Sequence, residues 1–136
     1  MKNNSYPILK GYSLLSLLSV NFASHAEVTL DGTLGPAGDL AGPSFFINAD
    51  LGKQVGNNLF HSFQKFNLSR QETAIFRGPN NINHVISRVT GGERSYIDGT
   101  LYSTIPNADM YFLNPAGIMF GPNARLNVQG SRMRWV

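Results

Sequence analysis

The 136-residue chain has no cysteine, and only 14% of its residues are charged. The first absence removes disulfide frameworks, thiolate zinc sites, iron–sulfur clusters and a cysteine nucleophile together. Sparse charge beside 42% hydrophobic residues excludes a disordered, self-repelling tail. Long apolar runs are also missing, for the longest, Leu14 to Phe22, falls short of the roughly 20 residues that span a bilayer. What the chain does have is turn formers. Gly, Asn and Pro, at 14, 14 and 7 residues, make up about a quarter of it. That composition suits many short strands joined by tight turns and does not suit a helical bundle.

The first residues read as an export signal. Lys2 and Lys10 precede the apolar stretch, and Ala23-Ser24-His25-Ala26 places small residues where a signal peptidase cuts. Cleavage after Ala26 leaves a mature chain from Glu27 to Val136, with 9 basic and 8 acidic residues. From Glu27 to Gly130 the count is 7 basic against 8 acidic, so the basic excess belongs to the ends and nucleic-acid binding loses its support. A chain exported unfolded gains from having no thiols to pair early.

Along the mature chain, Val28-Thr29-Leu30 reads as a short strand between turns. In the run from Asn57 to Leu68, Phe60, Phe63 and Phe66 are three apart while Phe66 and Leu68 are two apart, so neither the helical nor the strand template fits. The expectation there is irregular or edge structure with aromatics on the core. From residue 74 the pattern becomes regular. Short apolar or alternating runs occupy 74–76, 83–89, 96–97, 100–105, 110–113, 118–120 and 124–128, each followed by Gly, Pro, Asn or Asp. Strands this brief suit a parallel β-helix, where each pairs with the coils above and below. Asn114-Pro115-Ala116-Gly117, with Pro second and Gly fourth, fits a type I turn at a corner.

These residues carry a resemblance. Gly56-Asn57-Asn58-Leu59-Phe60-His61-Ser62-Phe63 through Phe66-Asn67, then Phe76-Arg77-Gly78-Pro79, Ile86 to Gly92, Ile97 to Leu101 and Phe112 to Gly121 occur in an order similar to that of the secretion domain of filamentous haemagglutinin-like exoproteins. These are the cargo of two-partner secretion (TPS) in Gram-negative bacteria, and the domain is also called the haemagglutination-activity domain. The resemblance covers about Glu27 to Ser131. It implies an all-β, right-handed parallel β-helix with an N-terminal cap, and a chain secreted through the periplasm to the cell surface or medium. It also implies recognition by an outer-membrane transporter of the Omp85 class through its POTRA domains. The turn Asn114, Pro115, Ala116, Gly117, Ile118 stands where the family has Asn-Pro-Asn-Gly-Ile, so Ala116 removes one amide. The family's other Asn-Pro motif, ending in Leu, is absent. The tail from Arg132 to Val136 is expected to break the strand alternation, as a truncation or a makeshift cap would.

Catalysis is weighed on His61, His84, Glu72, Glu93, Asp98 and Asp109. Glycoside cleavage needs two carboxylates facing one sugar, and these acids are scattered singly. Asp98-Gly99 and Asn107-Ala108-Asp109 read as turns, His61 as a core histidine, and Ser62 lacks an acid behind that histidine. No metal spacing, phosphate loop or other cofactor motif is found, and Asn67-Leu68-Ser69 is a chance sequon. The expected function is therefore export without enzymatic activity, as the leading part of an adhesin. The alternative is a stand-alone adhesin or glycan-binding module with Asn, Tyr102 and Tyr111 as contacts, and a polysaccharide-acting β-helix enzyme comes third.

Overall fold

A computed structural model describes residues 27–130 and 132–136. The expected signal peptide, 1–26, lies outside the described residues. Four strands and a turn come first: β1 (Val28–Asp31), β2 (Ala37–Asp39), β3 (Ser44–Ile47), a 3-10 turn (Ala49–Leu51) and β4 (Lys53–Val55). Nine strands follow: β5 (Asn58–Phe66), β6 (Thr73–Phe76), β7 (His84–Val89), β8 (Ser95–Ile97), β9 (Thr100–Ser103), β10 (Asp109–Leu113), β11 (Ile118–Phe120), β12 (Arg125–Val128) and β13 (Met133–Trp135).

The later strands stack in parallel as a three-sided β-solenoid. One side is β5-β7-β10-β13, the second β3-β6-β9-β12, and the third β8-β11, which Leu68 extends by a parallel bridge to Ile97. Asn58 lies opposite His84 and His84 opposite Asp109, which sets a coil of about 25 residues. Each coil turns one residue set inward. Leu59, Val85 and Met110 are buried and in register on the first side, as are Phe45, Ala74 and Leu101 on the second. Large and small side chains alternate along such columns. Phe76 stacks on Ser103, and Phe112 on Ser87, so a large ring lies over a small side chain in the neighbouring coil.

The N-terminal end is closed by antiparallel pairing. β1 and β4 both lie along the outer edge of β5, and β2 pairs with β1. Inward Val28 and Leu30 are buried against the core of the first coil. Lys65 reaches Glu27 at 3.1 Å and ties the strand ends.

Two segments depart from expectation. The run from Asn58 to Phe66 is the longest strand, not irregular structure. Its register against β1 skips Gln64, with Thr29 opposite Lys65 and Leu30 opposite Phe63. This bulge puts Phe63 and Phe66 on the same inner face although they are three apart, and their rings meet at 5.0 Å in an edge-to-face contact. Phe66 in turn packs on Phe112 at 4.8 Å. The second departure is the tail. Met133 and Trp135 point inward over Met110 and Phe112, while exposed Arg134 lies over Tyr111, so alternation continues through a fourth strand on the first side.

Candidate functional site

The Asn114 turn joins the first side of the prism to the third, between β10 and β11. Gly117 N–H donates to the Asn114 carbonyl at 3.0 Å and closes the turn. Among the described residues the only non-glycine with positive φ is Gln71, so Ala116 has a negative φ, as a type I turn requires and a type II turn does not allow. Gly117 itself adopts φ +115°, a region costly for any residue with a Cβ.

The Asn114 side chain is buried and fully engaged. Its Oδ1 accepts from Ala116 N–H at 2.9 Å, and its Nδ2 donates to the Glu93 carbonyl at 3.0 Å and to Ser95 Oγ at 2.9 Å. The turn is thereby fastened to the coil before it. Asn67 stands at the same corner two coils earlier and fastens it to the coil after it, with Oδ1 accepting from Tyr96 N–H at 2.8 Å. Both asparagines satisfy backbone or hydroxyl groups of a neighbouring coil that no strand ladder reaches. Pro115 and Ala116 line a groove of about 360 Å³ together with Arg88, Thr90 and Leu113. A methyl group therefore stands where the resemblance places an amide. Ile118, the last residue of the motif, opens β11 and packs against the core.

The other motif, in β5, divides between core and cap. Leu59, Phe63 and Phe66 are core, while Asn58 and Phe60 are half-buried on the outer face, beside His84 and Ile86 of the next coil. His61 is buried against Phe63 and Phe76, and its Nε2 donates to the Asn48 carbonyl at 3.2 Å. Its Nδ1 has no partner, so the ring is neutral with the proton on Nε2. Burial pushes the His61 pKa down, only partly offset by the bond to Asn48.

Ser62 belongs to a polar hub absent from the sequence expectations. Asp31 accepts from Ser62 Oγ, from Thr90 Oγ1 at 2.7 Å, and from Thr33 through its N–H at 2.9 Å and its hydroxyl at 2.7 Å. Arg88 adds Nε to Ser62 Oγ at 2.8 Å and a second nitrogen to Thr33 Oγ1 at 3.0 Å. Partial burial would raise the Asp31 pKa, but the hydrogen bonds from Ser62, Thr33 and Thr90 overcome it and hold the carboxyl at about 2. The hub links β1, β5 and β7 across the closed end. Only the sequence spacing Asp31-Gly32-Thr33, a local turn, hinted at it.

The remaining candidates are dispersed. Asp98 accepts from Asn123 N–H at 2.8 Å and Glu72 from Ser69 N–H at 2.7 Å, both as turn locks. Glu93 lies 4.0 Å from Lys65, and His84 packs edge-on to Tyr111. Asp109 opens β10 opposite His84. No group of three His, Cys, Asp or Glu able to hold a metal occurs among the described residues, and no helix there is long and apolar enough to cross a membrane.

Comparison with known proteins adds one finding. The family model of the TPS secretion domain matches residues 26–133. No curated protein and no solved structure matches the chain. TPS secretion domains are not an enzyme family, and the stacked coils with their fastened corners fit an exported TPS protein. On a match that covers most of its length, the chain belongs to the TPS secretion domain family.

Proposed function

We propose that residues 27–131 are the export module of a TPS exoprotein, recognised in the periplasm by an Omp85-class outer-membrane transporter through its POTRA domains. Residues 1–26 serve as the signal peptide that delivers the chain there. The observation that carries this reading is the family match over 26–133, which spans the closed end and the coils stacked on it. The Asn114 to Ile118 turn and the Asn58 to Asn67 run are the segments through which the module acts. Asn114 has every polar atom engaged within the fold, so its part is to hold the turn's shape, and the groove beside Pro115 and Ala116 offers the accessible surface.

The closed end gives export a direction. Coils can be added only on the far side, and each addition buries apolar surface at roughly 25 cal/mol per Å², which favours outward movement of the segments that follow. No step needs a cofactor or a catalytic group. Co-expression with a two-partner secretion transporter tests the proposal. The intact chain is expected in the medium when the transporter is present, and retention of the whole chain in the periplasm overturns the assignment.

A further inference from the structure

Two depressions neighbour each other on the first side of the prism. His84, Ile86 and Tyr111 line one of about 250 Å³, and the groove of about 360 Å³ beside the Asn114 turn is the other. Both straddle β7 and β10, for Ile86 is in register with Tyr111 and Arg88 with Leu113. Residues two apart on a strand are separated by about 6.6 Å. Ile86 and Arg88, like Tyr111 and Leu113, stand one such step apart, so the two depressions follow each other along the strands as a furrow. β7 and β10 are each paired on both edges, which makes the furrow part of the prism's flank and independent of either end.

The chemistry of its walls is mostly carbon. Ile86, Leu113, Pro115, Ala116 and the Tyr111 ring are apolar, and the polar atoms between them are engaged elsewhere. The Asn114 amide is held within its turn, and Thr90 Oγ1 donates to Asp31 at 2.7 Å. Arg88 is the one Lys, Arg, Asp or Glu that lines either depression. Uncharged hydroxyls, Ser62 at 2.8 Å and Thr33 at 3.0 Å, orient its guanidinium.

We propose that the transporter lays an extended segment along this furrow, with apolar side chains two residues apart in the two depressions and a carboxylate on Arg88. An extended chain points every second side chain the same way, at the same step of about 6.6 Å, which matches the lining. Arg88 then selects an acidic residue beside the apolar pair. The inference rests on the proposed transporter recognition and adds to it the docking surface and the pattern of the docked segment.

The second side supplies an internal control. Phe46, Ile75 and Tyr102 stand in register on its outer face, as Phe60, Ile86 and Tyr111 do on the first. Ile75, Tyr102, Ile86 and Leu113 are all half-buried. The chain has no cysteine, so a single introduced thiol carries a photo-crosslinker at one place only. During co-expression with a two-partner secretion transporter, Ile86→Cys and Leu113→Cys should join the chain to the transporter at least tenfold more than Ile75→Cys and Tyr102→Cys. Arg88→Gln should lower the yield from Ile86→Cys at least fivefold. Ser62→Ala, which loosens the same hub but keeps the charge, should change it less than twofold. Release of the parent chain with equal adducts from both sides, adducts from the second side alone, or none overturns the furrow and leaves the transporter reading standing. Equal losses in Arg88→Gln and Ser62→Ala overturn the carboxylate contact. A parent chain that the transporter fails to release overturns the transporter reading and this inference with it.

Discussion

Asn114 Nδ2 donates to Ser95 Oγ across two successive coils at 2.9 Å, with both groups buried. Replacing Asn114 by Ala leaves Ser95 Oγ and the Glu93 carbonyl without that donor, and an orphaned buried polar group costs about 1–3 kcal/mol. Asn114→Asp keeps the acceptor for Ala116 N–H but sets a carboxylate against the Glu93 carbonyl, so it should be at least as damaging. Chemical denaturation of both variants, compared with Ser95→Ala, checks this. A variant Asn114→Ala as stable as the parent sinks the account of the turn.

The Asp31 hub sets a pH dependence at the acid end. The folded pKa of about 2 lies below the ordinary carboxyl value of 3.8, so the stabilisation is complete above the unfolded value and is lost as pH falls from about 4 to about 2. Solvent screening reduces the contribution to about 1 kcal/mol. Asp31→Asn should flatten that limb of the stability curve, measured by urea unfolding at stepped pH. An unchanged slope would show that the hub is not what the acid removes.

His61 acts in a higher window with the same sign. Its folded pKa lies below 6.5, so the unfolded chain takes up the proton first, and stability falls as pH drops below about 6.5 while staying level above it. The proton would have to go to Nδ1, which is buried without a partner. His61→Gln should abolish this limb while Asp31→Asn leaves it intact. Ring-proton NMR of His61 gives the folded pKa directly, and a value at or above 6.5 contradicts the prediction.

Gly91 faces the Gln64 carbonyl so closely that an added Cβ would meet that oxygen at 2.2 Å. Gly91 N–H also donates to the same oxygen, at 3.0 Å, beside the bulge of β5. Gly91→Ala therefore pushes backbone against backbone and should cost more than about 2 kcal/mol, whereas Gly92→Ala, where φ is +85° but space is open, should cost less, about 1 kcal/mol. Thermal unfolding of the pair distinguishes them. Equal losses would mean that conformation, not crowding, governs this turn.

Much of the solenoid was legible because its information is local. Strands β6 to β12 coincide with the expected runs, since Ala74-Ile75-Phe76 or Met110-Tyr111-Phe112 shows inward and outward positions directly, and a Gly, Pro or Asn marks each corner. The closed end was legible only in part, for Val28-Thr29-Leu30 read as a strand and forms β1. Exposed three-residue strands such as Ala37–Asp39 and Lys53–Val55 have no alternation to display. The bulge at Gln64 shifts the phase within β5, which made Phe60, Phe63 and Phe66 look aperiodic. Met133-Arg134-Trp135 alternates, yet three residues with one arginine before them and one among them read as a break in the pattern until Met110 and Phe112 are seen beneath them. The Asn114 turn was found from its own four residues. Its anchors, Glu93 and Ser95, lie about 20 positions away and leave no mark in the local pattern.

The stacking order of the coils follows the order of the chain, so position along the sequence is also height along the prism. Loss of the topmost strand would bare Met110 and Phe112 without disturbing Val28 or Phe45 at the base. Among the described coils, protection of the amides should then grade like rows of knitting, strongest near Leu59 beside the closed base and weaker toward Leu126.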